Sequence, residues 1–208
     1  MKKEIRLFEF EIRTEQDEDH GHYLTGRPIV YGQRTDIGRF DEIIEFGALD
    51  NTDLRDVRFL INHNINMIPL ARSRNNNENS TMQMSVDENG MIIRVDLDIE
   101  NNADARSLYS AVNRGDISGM SFMFSVDEDK WEDAKSDHPL RHVRSIKRVL
   151  EVSAVTFPAY SATSIQARGL SDALDSVPES LESERARLDE LRLAKEKLKL
   201  KARIENGN

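Results

Sequence analysis

Hydrophobic and polar residues alternate with a period of two through most of the chain up to Arg168. Over residues 4–13 apolar side chains alternate with charged ones, with one slip of register, and this pattern predicts a bulged strand. A second strand is predicted over 23–31, and a short buried strand over 56–62 delivers His63 at its end. The pattern therefore indicates a protein built mainly from β-strands.

The clearest local motif is a β-hairpin. Apolar positions alternate over 81–86 and again over 91–99, and Asp87-Glu88-Asn89-Gly90 lies between the two runs. Aspartate, asparagine and glycine are typical of tight turns, because they tolerate the backbone angles that such turns need. We therefore expect two adjacent antiparallel strands here.

A helix and a serine-bearing strand are predicted after the hairpin. The helix covers 103–113, because Asn101 or Asn102 can cap its first turn and Gly115 can stop it. The strand over 117–125 alternates large apolar residues with serines and a glycine. One of its faces can thus enter a core while the other carries hydroxyl groups.

The remaining β pattern lies between residues 127 and 157. An acidic stretch over 127–138, which holds the only tryptophan, is interpreted as a loop. Two further strands are predicted over 141–148 and 149–157, and Pro158 ends the second. The globular part is expected to close near Arg168.

The composition changes from residue 169 onwards. Leucine, glutamate, arginine and lysine dominate, with acidic residues first and basic residues after them, which complements a helix dipole. The leucines with a spacing of seven are Leu174, Leu181 and Leu188, followed by Leu191 and Leu198. This spacing predicts an amphipathic helix that binds a partner or forms a short coiled coil.

Composition and charge exclude several classes of function. The net charge of −9 argues against binding nucleic acid through a generally basic surface. The absence of cysteine excludes disulfides, thiolate nucleophiles and cysteine-ligated zinc. No apolar run is long enough to span a bilayer, so no membrane segment is expected. We expect neither a cofactor nor a metal ion.

A set of short motifs resembles those of the prohead (capsid-maturation) proteases of tailed bacteriophages. The motifs that carry the resemblance are, in chain order, Gly26–Gly32, Phe46–Leu49, Asn62-His63, Pro69–Arg72, Gly119–Phe124 and Glu151–Ala159. Each motif is weak alone, but their order and spacing are fairly specific. The resemblance covers roughly residues 5–168.

The resemblance implies a serine endopeptidase distantly related to herpesvirus assemblin. Such a protein has an α+β fold, a mostly antiparallel β-barrel flanked by helices. Residues 1–168 would form the protease domain, and 169–208 would form a charged amphipathic helical tail that binds scaffold or forms a coiled coil.

The resemblance also implies the residues of the active site. Ser121 would be the nucleophile and His63 its general base, since a serine hydroxyl is a poor nucleophile until an imidazole accepts its proton. Glu151 is the first choice for the group that orients the imidazole, because it matches the Glu-Val-Ser motif of the family. His142 is the alternative, since a second histidine has this role in the herpesvirus relatives.

Two functions remain open from the sequence. The first is a protease that cleaves the major capsid protein precursor or a scaffold protein inside the assembling prohead in the host cytoplasm, with self-cleavage left open. The second is a catalytically silent capsid-assembly or scaffolding protein. The presence of His63, Ser121 and Glu151 favours the protease. A homo-oligomer is expected, with no nucleic-acid or membrane partner.

Overall fold

Strands dominate the computed structural model, which describes residues 3–8, 12–17, 21–156 and 178–205. The strands are β1 (Glu4–Phe8), β2 (Ile12–Asp17), β3 (Gly21–Val30), β4 (Thr35–Asp36), β5 (Asp41–Ile44), β6 (Asp56–Ile61), β7 (Ala71–Arg74), β8 (Met82–Asp87), β9 (Gly90–Asp96), β10 (Gly119–Glu132) and β11 (Leu140–Val155). The helices are α1 (Ala103–Asn113) and α2 (Glu179–Glu205). The prediction of a mainly β protein is confirmed.

The described strands form two sheets that share one core. The larger, 7-stranded sheet has the order β1-β10-β11-β5-β4, with β6 also paired to β11 and β7 to β6. The smaller, 4-stranded sheet has the order β2-β3-β9-β8. Leu24 and Met91 of the smaller sheet and Phe59 and Phe122 of the larger sheet are fully buried in the same cluster. Burial of these apolar faces against each other drives the association of the sheets.

The described strands do not close into the expected barrel. No hydrogen-bonded ladder within the described residues joins one sheet to the other, so both sheets stay open. The region predicted as one bulged strand explains part of the difference. It forms β1, which pairs with β10 in the larger sheet, and β2, which pairs with β3 in the smaller one. The stretch predicted as one strand thus contributes to both sheets, and the two sheets associate by packing rather than by continuous strand pairing.

The longest hairpin corrects two further predictions. The sequence predicts an acidic loop over 127–138, but β10 continues through Glu132. The two strands predicted after this loop form the single strand β11. Cross-strand pairs such as Arg144 with Glu128, 3.3 Å apart, place opposite charges on neighbouring strands. Such pairing allows a charged stretch to form an exposed part of a sheet.

The hairpin of β8 and β9 and the following helix agree with the sequence. β8 and β9 pair in antiparallel register from Met82 to Asp87. The side chain of Asn102 caps α1 by accepting hydrogen bonds from the backbone N–H groups of Asp104 and Ala105, at 2.9 and 3.2 Å. Of the two predicted caps, Asn102 is therefore the one used.

The start of α2 packs against the larger sheet through a second, smaller apolar cluster. Leu181 is almost fully buried against Phe40, Trp131 and Ala134. The indole Nε1 of Trp131 donates a hydrogen bond to Ser180 Oγ at 3.0 Å. These contacts fix the first turns of α2 to the β10–β11 hairpin. Neither helix in the described part of the chain combines the length and hydropathy that a membrane span requires.

Candidate active site

Ser121 is the third residue of β10 and lies between two neighbouring strands, β1 and β11. It is in register with Leu7 of β1 and with Ser153 of β11. The residues on either side, Met120 and Phe122, are fully buried in the main core. Because side chains alternate along a strand, Ser121 lies on the opposite face of the sheet.

His63 lies two residues after the end of β6, in an unusual stretch of backbone. Asn62 and His63 both have left-handed backbone angles, with φ of 49° and 56°. Two successive left-handed residues are strained, although asparagine and histidine tolerate this region better than most residues do. The side chain of Asn62 holds the turn, because its Oδ1 accepts the backbone N–H of Thr156 and its Nδ2 donates to Thr156 Oγ1, both at 3.0 Å.

The imidazole of His63 lies between the other two residues predicted from the sequence. Its Nε2 is 2.5 Å from Ser121 Oγ, and its Nδ1 is 2.5 Å from Glu151 Oε1. A neutral imidazole that donates from Nδ1 to the carboxylate has a free lone pair on Nε2. This arrangement can therefore accept a proton from the serine hydroxyl.

His142, the alternative to Glu151, lies elsewhere on β11. Its Nδ1 is 2.5 Å from Glu45 Oε1 and its Nε2 is 3.2 Å from Glu132 Oε2. Both ring nitrogens are thus occupied by carboxylates of β10 and of the segment after β5. Within the described residues, the structure brings Glu151 and not His142 to His63.

Ser153 is a fourth polar residue at the site, and the sequence predicted no role for it. Its hydroxyl donates to Glu151 Oε2 at 2.6 Å and accepts the backbone N–H of His63 at 3.1 Å. Its position could have been inferred from the sequence, because Ser153 follows Glu151 by two residues and such residues lie on the same face of a strand. We call His63, Ser121, Glu151 and Ser153 the His63 network.

The network is enclosed, and the hydroxyl of Ser121 has a second acceptor. Ser121 and Ser153 have no exposed surface, and His63 and Glu151 are 7% and 3% exposed. Ser121 Oγ also donates to the backbone carbonyl of Arg6 in β1, at 2.6 Å. A hydroxyl has one proton, so Arg6 and His63 compete for it. A peptide bond can reach Ser121 only after covering groups move.

The side chain of Arg6 belongs to a neighbouring buried group of charges. This ionic cluster consists of Glu4, Arg6, Glu42, Asp129 and Arg141. Arg6 holds Glu42 through Nε and Nη2, at 2.5 and 2.7 Å, and Arg141 Nε donates to Asp129 at 2.7 Å. Burial by itself raises the pKa of Glu4, but the hydrogen bond and charge of Arg141, with the charge of Arg6, outweigh it and hold that pKa below its usual value.

Asp36, Asp41 and His138 are the group of potential metal ligands among the described residues. His138 Nε2 is 2.9 Å from Asp41, and Arg34 Nε donates to the same carboxylate at 2.5 Å. Ion pairs within the protein account for this group, and we assign it no metal.

Comparisons with known proteins identify a family. The profile of the family described as Caudovirus prohead serine protease matches residues 8–176, which is more than half of the chain. A solved structure, that of the bacteriophage T4 capsid assembly protease gp21, aligns with 74% of this chain and 99% of its own, at 14% sequence identity and a TM-score of 0.37. No curated protein matches the sequence.

Proposed function

Because the chain belongs to the Caudovirus prohead serine protease family, we propose that it cleaves the major capsid protein precursor or a scaffold protein during prohead maturation. Self-cleavage is part of the same proposal. The family description supports a serine protease of phage capsid assembly. The identity of the substrates and the site of action, inside the assembling prohead in the host cytoplasm, are our inference.

One observation carries the assignment of the active site: His63 contacts Ser121 with one ring nitrogen and Glu151 with the other. In the proposed mechanism Ser121 Oγ attacks the scissile carbonyl carbon while its proton passes to His63 Nε2. Glu151 holds the ring orientation and stabilises the imidazolium that forms. His63 then gives this proton to the leaving amine. A water molecule, deprotonated by His63, attacks the acyl group, and His63 returns the proton to Ser121 Oγ as the acyl–serine bond breaks.

The enclosure of Ser121 adds a requirement to this mechanism. The hydroxyl must exchange its bond to the Arg6 carbonyl for full donation to His63, and a substrate must gain access to Oγ. Binding of the capsid or scaffold precursor is the proposed event that opens the site. Activity towards free short peptides is then expected to be low compared with activity towards the assembled precursor.

The tail is proposed to dock the protease on its partner, with the domain boundary near Arg168. Residues 157–177 lie outside the described part, so this boundary stays a prediction. The exposed leucines of α2 are Leu191, Leu193, Leu198 and Leu200, between 47% and 66% exposed. Because Leu181 packs on the protease domain itself, the docking surface we propose begins at Leu191. Homo-oligomer formation and the distant relation to assemblin are further proposals.

Incubation of the purified protein with the capsid and scaffold precursors of its phage tests the proposed function. The native protein should release defined fragments, and Ser121→Ala should release none while remaining folded, as thermal denaturation would show. Cleavage by a folded Ser121→Ala protein would refute the nucleophile. The alternative, a catalytically silent assembly protein, requires that the native protein also leaves both precursors intact.

A further inference from the structure

Ser153 is fixed by both of its hydrogen-bonding functions. Its hydroxyl donates to Glu151 Oε2 at 2.6 Å, and the same oxygen accepts the backbone N–H of His63 at 3.1 Å. The side chain has no exposed surface. One hydroxyl group thus joins the side chain of Glu151 to the main chain of His63.

The bond to Glu151 decides how that carboxylate faces the imidazole. Glu151 Oε1 is 2.5 Å from His63 Nδ1, and Oε2 has Ser153 as its hydrogen-bond donor among the described residues. Without Ser153 the buried Oε2 would lose this donor, and the carboxylate could rotate away from the imidazole. Loss of a partner from a buried charged group is costlier than loss of the same bond in water.

The hydrogen bond from the backbone N–H of His63 to Ser153 holds the other partner of the contact between Glu151 and His63. Residue 63 has a φ of 56°, a left-handed angle that relaxes unless surrounding bonds hold it. Ser153 supplies the acceptor for its N–H, and the preceding N–H, of Asn62, is held by the carbonyl of Ala154 at 3.0 Å. The direction of the imidazole therefore depends on Ser153 as well as on Glu151.

We propose that Ser153 is a positioning residue of the protease, which sets the relative position of His63 and Glu151 without touching the substrate. This proposal rests on the proposed function. Misalignment of a catalytic group by about 1 Å can lower a rate about 100-fold. Removal of the hydroxyl should therefore lower kcat by roughly 10- to 100-fold and leave KM nearly unchanged, since no contact with the substrate is lost.

The matched pair Ser153→Thr and Ser153→Val isolates the hydroxyl, because threonine and valine have nearly the same shape and both suit a strand. We would measure kcat and KM, normalised to the folded fraction, with the scaffold or capsid precursor that the native protein cleaves. Ser153→Thr should stay within about threefold of the native kcat, and Ser153→Val should show the 10- to 100-fold loss. Equal kcat values for the two variants would overturn the proposal.

Two further variants separate positioning from a general effect on folding. Ser125→Ala removes another buried hydroxyl from β10, one without a hydrogen-bond partner among the described residues, and should leave kcat unchanged. In a Glu151→Gln background, the difference between Ser153→Thr and Ser153→Val should shrink several-fold, because residues that act as a unit are non-additive. The positioning role is contradicted if Ser153→Val still loses roughly the full 10- to 100-fold in kcat relative to Ser153→Thr in that background. It is also contradicted if Ser125→Ala loses as much kcat as Ser153→Val.

These outcomes are distinct from failure of the proposed function. If Ser121→Ala cleaves as fast as the native protein, the active-site assignment is wrong whatever Ser153 does. If Ser121→Ala is inactive and Ser153→Val is fully active, the active-site assignment stands and the role of Ser153 is refuted.

Discussion

The His63 network and the ionic cluster are both buried against the larger sheet, and β1 contributes to each. Arg6 connects them, since its carbonyl accepts the hydroxyl of Ser121 while its guanidinium binds Glu42. The ionic cluster holds two guanidinium groups among three carboxylates. In the His63 network, the hydroxyl proton of Ser121 lies between two acceptors, His63 Nε2 and the backbone carbonyl of Arg6.

The difference lies in what each group can do with a proton. Burial alone would lower the pKa of Arg6 and Arg141, but the surrounding carboxylates outweigh it and raise the pKa of both arginines. Both guanidinium groups therefore stay charged, and we expect the cluster to affect stability and the position of β1 rather than proton transfer. The hydroxyl of Ser121 has two acceptors within hydrogen-bonding distance, one of them the imidazole of His63, and transfer of a proton to such a base is what general base catalysis needs.

The largest expected effect falls on the His63 network. His63→Ala and Ser121→Ala should each lower kcat by at least about 1000-fold, and the double variant should be no slower than either alone, because the two residues act as a unit. Cleavage of the scaffold or capsid precursor under single-turnover conditions measures this. Thermal denaturation of the same samples checks that both variants are folded. Additive losses would mean that the two side chains work independently and would contradict the network.

A second effect distinguishes Glu151 from His142. Glu151→Gln should lower kcat by roughly 100-fold or more, since a neutral amide no longer stabilises the imidazolium. His142→Ala should change kcat by less than about threefold, because its ring contacts Glu45 and Glu132. Cleavage of the same scaffold or capsid precursor measures both. The reverse ranking would transfer the orienting role to His142, and two small effects would indicate a dyad of Ser121 and His63.

The ionic cluster is expected to affect stability more than catalysis. Glu42→Gln turns an amide N–H₂ group towards a guanidinium that is already a donor, so the free energy of unfolding should fall by roughly 3 kcal/mol. Glu88→Gln, the same substitution at an exposed turn residue, is the control and should change it by less than about 0.5 kcal/mol. Urea denaturation measures both. If folded Glu42→Gln loses as much kcat as Glu151→Gln, the ionic cluster affects catalysis as strongly as the His63 network does, and the distinction between them is wrong.

The smallest effect is a pH dependence of stability that comes from Glu4. Because the pKa of Glu4 is lower in the folded protein than in the unfolded chain, its contribution is complete above the unfolded value of about 4.3 and is lost as the pH falls through the folded value. The slope of the free energy of unfolding between about pH 5 and pH 3 should be smaller in Glu4→Gln than in the native protein. Urea midpoints across this range measure it. An unchanged slope would show that Glu4 keeps its ordinary pKa.

The sequence alone was enough for the local elements. Alternation of apolar residues predicted β6, β8 and β9, and the cap at Asn102 predicted α1, because these signals depend on neighbours a few residues apart. The resemblance supplied the family and named His63, Ser121 and Glu151. Their catalytic roles stay predictions, as does the domain boundary near Arg168.

The tertiary structure decided which distant residues meet. His63 reaches Ser121 across 58 residues and Glu151 across 88, and strand register sets both contacts. A period of two tells which face of a strand is buried but not which strand lies beside it. For this reason the sequence left Glu151 and His142 open, merged β1 with β2 and missed Ser153. Leu181 illustrates the same limit, since its heptad spacing indicated an apolar stripe and only the packed structure showed that Phe40 and Trp131 cover it.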